Sequence, residues 1–265
     1  MQKTYQPVGR CIYCGAGQYR KDRPSPKLGD EHIVPLSLGG NLILPEASCH
    51  DCEKAINKVE APLTRGLFLP ARTKLKFPTR RKKDRPTHLP LDIHAPSGFE
   101  TQQVLLENYP AMIMTMMFDT PAILWGLPPK DDIITGRVCI SKLPDFDENI
   151  RRHPQSTVTW KLGVDAVVLG RMLAKIAHAY TVAEIGLDKF KPFLNDVILD
   201  RSPHYISQFV GGEIGDIPPP SQNIYEISLQ ETVRYDGYKL IVVKIRLFAK
   251  WEGMPVYLIV SGQML

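Results

Sequence analysis

The stretch DEHIVPLSLGGN, residues 30–41, sets Glu31 beside His32 and ends on Asn41, and the pairs Cys11/Cys14 and Cys49/Cys52 bracket it. Two Cys-x-x-Cys knuckles meeting around one ion supply the four thiolates of a tetrahedral structural zinc and pin the chain between them. Gly15, directly after the first pair, suits the tight turn of such a knuckle. A zinc closed by four sulfurs has no open position for water, so any hydrolytic chemistry falls to other residues of the pinned segment. His32 is the natural general base: its ring is largely neutral near pH 7 and accepts a proton when a partner such as Asn41 fixes its tautomer. Glu31, Glu53 and Asn57 offer oxygen atoms, which suit Mg2+ or Mn2+ better than zinc. His50, inside the second pair, reads as an exposed knuckle residue. His88, His94, His153, His178 and His204 have no comparable grouping and read as structural or surface residues.

The elements that must position these groups follow from local pattern. EHIVPLSLGGNLIL reads as two short strands joined through Leu38-Gly39-Gly40, which brings Glu31 and His32 near Asn41 across a hairpin. CEKAINKVEAP is helical in character until Pro62, with Glu53 and Asn57 four apart on one face. Strand, strand, helix is the expected order.

A Cys-x-x-Cys-Gly knuckle, then EHIVPLSLGGN, then a second knuckle running into a polar helix resembles the HNH endonuclease family in its zinc-stapled ββα-metal form. The resemblance covers residues 9–62 only. It implies phosphodiester hydrolysis, with Glu31 a ligand of a catalytic Mg2+ or Mn2+, His32 the general base and Asn41 the residue that orients it. It also implies a last metal ligand on the helix after Cys52. The family commonly has Asn or His directly after the second pair; here that residue is Glu53, with Asn57 one turn on, and Asn57 is favoured over Glu53. The stretch between Asn41 and Cys49 is longer than the pattern. HNH sites cut one strand each, so double-strand cleavage implies a homodimer.

Charge separates the chain into unlike parts. Residues 1–95 carry 17 Lys+Arg against 9 Asp+Glu, a net of +8, and the remaining 16 and 19 give −3, which together make the overall +5. A basic N-terminal third points to an anionic partner, with nucleic acid the commonest. Residues 63–97 hold Pro70, Pro78, Pro86, Pro90 and Pro96 and the run Arg80, Arg81, Lys82, Lys83, which reads as an extended basic connector whose charge run is either a solvated linker or, favoured by its place beside the site, an arm that contacts phosphates. Duplex DNA is favoured over RNA because the basic segment has no aromatic-rich stacking motif. The N-terminus has no apolar leader and no run approaches the ~18 apolar residues of a membrane span, so a cytoplasmic protein is expected. In that reducing setting the cysteines are metal ligands rather than disulfides, and Cys139, in an apolar strand-like run, is a small buried hydrophobe.

From residue 98 the texture changes. AMIMTMMF and AILWGL are apolar runs fit for buried strands or short helices, and DIITGRVCISKL alternates like a strand. DAVVLGRMLAKIAHAYTVAEIG repeats Val167, Val168, Met172, Leu173, Ile176, Tyr180 and Ala183 at helical spacing before Gly186. Asp236-Gly237 between two alternating runs marks a β-hairpin, followed by a third antiparallel strand. The expected fold is α+β: an N-terminal zinc-stapled ββα-metal unit over 1–62, a basic connector over 63–97, and an α+β domain with an antiparallel sheet over 98–265, which would serve targeting, sensing or assembly. The expected activity is that of a metal-dependent DNA endonuclease of the phage, mobile-element or defence kind. The alternative is a zinc-dependent nucleic-acid-binding protein without catalysis, for which Glu53 in place of Asn or His speaks.

Overall fold

The computed structural model describes residues 2–20, 27–79, 85–128, 134, 136–160, 163–202 and 205–265, and shows a mixed α+β protein with antiparallel sheets. Its N-terminal sheet has the order β1 (Lys3–Thr4), β3 (Leu42–Ser48), β2 (Gly29–His32). β1 runs parallel to β3, while β2 is antiparallel to it with Glu31 opposite Leu44 and His32 opposite Ile43. The turn between β2 and β3 depends on its two glycines. Gly39 has φ +83°, and a Cβ on Gly40 would lie 2.0 Å from the carbonyl oxygen of Val34, so no other residue fits there. Helix α1 (His50–Pro62) follows β3 directly, with Asp51 and Glu53 in its first turn, where the helix dipole favours negative charge.

The connector is not extended throughout. After α1 the chain makes a π-helical turn over Leu63–Leu67 and a short helix α2 (Leu69–Lys74). Pro70 falls in the first turn of α2, where a missing N–H breaks no intrahelical bond. Phe68 and Phe77 are buried against Phe248, with ring centroids 5.0 and 6.3 Å away, so this part of the connector is built into the core. Residues 80–84, which contain the Arg80, Arg81, Lys82, Lys83 run, lie outside the described residues.

Strand β4 (His88–Ala95) lies between β5 (Gly98–Leu105) and β8 (Thr157–Thr159), whereas β6 (Met112–Phe118) and β7 (Gly136–Lys142) form a separate antiparallel ribbon. AILWGL is neither strand nor α-helix but a 3-10 turn over Ala122–Trp125. After the short α3 (Phe146–Arg151) comes α4 (Ala166–Ile185), in the expected place. The Asp165 carboxylate accepts from the Val168 N–H at 3.0 Å at its start, and Gly186 with φ +95° ends it. The rest of the chain adds β9 (Phe190–Pro192), α5 (Asn195–Ile198), α6 (Ile206–Phe209), β10 (Val210–Gly212), β11 (Tyr225–Val233), β12 (Lys239–Leu247) and β13 (Tyr257–Met264). The hairpin β11–β12 and the third strand β13 are as expected, in the order β10-β13-β12-β11 with β9 beside β13. Gly237, φ +86°, donates to the Arg234 carbonyl at 2.8 Å and closes the hairpin turn.

Helix α4 is the centre of the molecule. It is 20 residues long and, by length and composition alone, apolar enough to cross a bilayer, but most of it is buried inside the protein. A helix so largely apolar is one that other elements surround. On one side His178 bonds through Nε2 to the Ile12 carbonyl at 2.8 Å; on another the Thr181 hydroxyl donates to Ser261 Oγ on β13 at 2.7 Å. Buried residues from Cys11 to Ile259 form one contiguous core, so segments 1–62, 63–97 and 98–265 share it. Cys139 is only half-buried, and burial raises its thiol pKa.

Candidate metal centre and the residues around it

The sulfurs of Cys11, Cys14, Cys49 and Cys52 lie within 4.8 Å of one another. Local backbone geometry brings them there. Cys11 N–H donates to the Ala16 carbonyl and Gly15 N–H to the Cys11 carbonyl, both at 2.8 Å, and Gly15 takes φ +78°, so the first knuckle curls around its own sulfurs. The second knuckle is the start of α1: Cys49 is its N-cap and Cys52 sits in its first turn, at the positive end of the helix dipole, which favours thiolate. Tetrahedral zinc with Zn–S near 2.3 Å puts sulfurs about 3.8 Å apart; Cys14 and Cys49 are already 3.6 Å apart. Protonation in the cluster is divided: the hydrogen bond from Cys52 lowers Cys11 to about 5, burial lifts Cys49 to about 11, and the bond with Cys11 drives Cys52 well above the ordinary thiol range. Four sulfurs this close cannot all be anionic without a cation among them. The cluster can therefore hold a structural metal ion such as zinc, as the cysteine spacing predicts.

The other expected site residues each have surroundings of their own. Glu31 projects into the interior, where it is 5% exposed. There Lys175 of α4 places its Nζ 2.6 Å from Glu31 Oε1 and 3.0 Å from Glu60 Oε1 of α1. The same nitrogen donates to the main-chain oxygens of His32 at 2.5 Å and Ile33 at 3.3 Å. Burial by itself would lower the Lys175 pKa, but Glu31 and Glu60 outweigh it and keep the ammonium charged; burial outweighs Lys175 at Glu31 and raises that carboxyl. Asn57 lies exposed on the outward side of α1, between Lys54 and Lys58, which are exposed too. Glu53 Oε2 accepts a 2.5 Å hydrogen bond from the Tyr19 hydroxyl. Among the described residues, the four cysteines are the group of three or more His, Cys, Asp or Glu side chains drawn together tightly enough for a metal.

His32 is half-buried at the end of β2, paired with Ile43, and Asn41 follows the turn on the adjoining strand, so the hairpin brings their backbones close. The Asn41 side chain accepts a hydrogen bond from the Tyr225 hydroxyl at the start of β11. It stands at the edge of a cleft of about 540 Å3 that Tyr5, Tyr180 and Tyr225 also line.

This geometry lends no support to Glu31 as a ligand of Mg2+ or Mn2+. Such an ion binds carboxylate oxygen at about 2.1 Å, and an ammonium 2.6 Å from the same oxygen fills that space with its own positive charge. With Lys175 in place, Glu31 Oε1 has no room for a second cation. Sequence reasoning missed Lys175 and Glu60. The signal was a lysine in the apolar helix run LAKIAHA, where any cation must be buried and therefore paired. No family model, no curated protein and no solved structure matches the chain.

Proposed function

We propose that the protein binds nucleic acid, duplex DNA in the first place, through a zinc-stapled strand-strand-helix module of HNH type that holds its target without hydrolysing it. The observation that carries this reading is the two-sidedness of α1. Its inner side, Cys52, Ile56 and Val59, is buried and anchored by the cysteine cluster, while Lys54, Asn57 and Lys58 face outward. A helix held rigid by metal and presenting lysines and an amide offers phosphate contacts at low entropic cost. The basic run at 80–83 follows on in sequence and adds further positive charge. Catalysis is left out of the reading because Glu31 is committed to Lys175.

The test is fluorescence anisotropy of a short labelled duplex against zinc-loaded protein across a salt series. Binding that weakens linearly in log–log form, and that disappears when zinc is extracted, supports the reading; no binding at low salt refutes it. Single strands and RNA in parallel rank the partners.

A second reading, DNA cleavage with His32 as general base, draws on the half-buried His32 ring at the edge of the hairpin and the closeness of Asn41. It predicts nicking of plasmid DNA that His32→Ala abolishes. Paired strand scission would then call for a homodimer.

A further inference from the structure

The cluster of Glu31, Glu60 and Lys175 lies where three elements meet: β2, α1 and α4. Four oxygens approach one nitrogen there, two from carboxylates and two from the main-chain carbonyls of His32 and Ile33, at 2.5 to 3.3 Å. A donor set of carboxylates and backbone carbonyls is what hard divalent cations take. Here an ammonium is found in its place. The Lys175 side chain is only 2% exposed, and its neighbours on α4, Met172, Leu173, Ile176 and His178, are buried too, so Nζ is shut off from solvent.

We propose that Lys175 is a built-in cation that substitutes for a divalent ion between Glu31 and Glu60, and that removing its ammonium uncovers a site for such an ion. The substitution makes the charge permanent. A divalent ion exchanges with solvent and depends on supply, whereas a lysine on the central helix is delivered by folding and ties α4 to β2 at the same time. The inference uses the geometry of this cluster alone and does not depend on what the protein binds. Atoms close to the nitrogen identify the ligands the uncovered site would offer: Glu31, Glu60 and the two carbonyl oxygens.

The experiment is titration of the full-length, zinc-loaded protein with Mn2+, following the free-ion electron paramagnetic resonance signal. The wild type is expected to leave the signal unchanged. Lys175→Ala, which clears the space from Cγ to Nζ, is expected to withdraw one Mn2+ per chain, and the double variant Lys175→Ala/Glu31→Gln to withdraw none. Wild-type protein that takes up Mn2+ in a manner abolished by Glu31→Gln overturns the proposal, as does folded Lys175→Ala that takes up none. If Lys175→Ala unfolds without added ions, recovery of its native circular dichroism on adding Mn2+ supports the proposal, and failure to recover overturns it.

Discussion

Replacing Lys175 by Met, with zinc retained and no other divalent ion present, isolates the energetic weight of the buried cluster. Methionine keeps the apolar stem but leaves Glu31 and Glu60 facing each other without a cation. Lys175 and Glu31 are 2% and 6% exposed at their side chains, so solvent screens little of the interaction. Breaking a buried pair by deleting one partner costs about 3–5 kcal/mol, and at about 2–4 °C per kcal/mol for a chain of this size the melting temperature falls by roughly 10 °C. The loss depends on pH with a definite sign. Burial already raises the Glu31 pKa, and Lys175 is what holds it down, so the variant raises it further. A carboxyl whose folded pKa exceeds its unfolded value favours the folded state when protonated, and that contribution is lost as pH rises through the folded value. The deficit of Lys175→Met relative to wild type is therefore smallest near pH 5 and largest near pH 8. Urea unfolding at both values gives the two differences, and adding Glu31→Gln should recover about half of the loss at the higher pH. A deficit under about 1 kcal/mol, or one equal at both pH values, refutes the reasoning.

Cys52→Ala removes one of four thiolates; zinc released on a chromogenic chelator and a lower melting temperature are expected, whereas full zinc retention would deny the cluster its role. His178 is buried and neutral, its pKa pushed down to about 4 by burial. It therefore costs stability as pH falls from about 6.5 toward 4, by up to about 3 kcal/mol, and His178→Asn or His178→Gln should flatten the stability profile over that window. Neutralising Arg80, Arg81, Lys82 and Lys83 together should weaken DNA binding for all sequences alike and reduce its salt slope by up to about 3.6, since each phosphate contact contributes about 0.9. An unchanged slope returns that run to the role of solvated linker.

What the sequence disclosed followed from ranges over which its signals act. The cysteine cluster is legible because two short knuckles carry their own ligands and turn residues, needing only the hairpin to bring them together. Helix α4 and the β11–β12 hairpin are legible from period and from the Asp236-Gly237 turn. The connector misleads because proline density argues against helix, while Pro70 falls in the first turn of α2, where a helix tolerates it. Glu31 misleads for a different reason. An acidic residue beside a histidine on a strand says nothing of what faces it, and its partner arrives from α4, far along the chain, through tertiary packing alone. The apolar repeat of α4 also understates its surroundings: helical spacing marked one face, whereas the helix is wrapped by both the N-terminal elements and the C-terminal sheet.

The central proposal is a site that binds DNA and does not cut it. Supercoiled plasmid incubated with zinc-loaded wild-type protein and Mg2+ or Mn2+, beside His32→Ala, tests it most directly. Retarded but intact supercoiled DNA with both proteins is the predicted result. Nicked or linear DNA from the wild type, absent with His32→Ala, would contradict it.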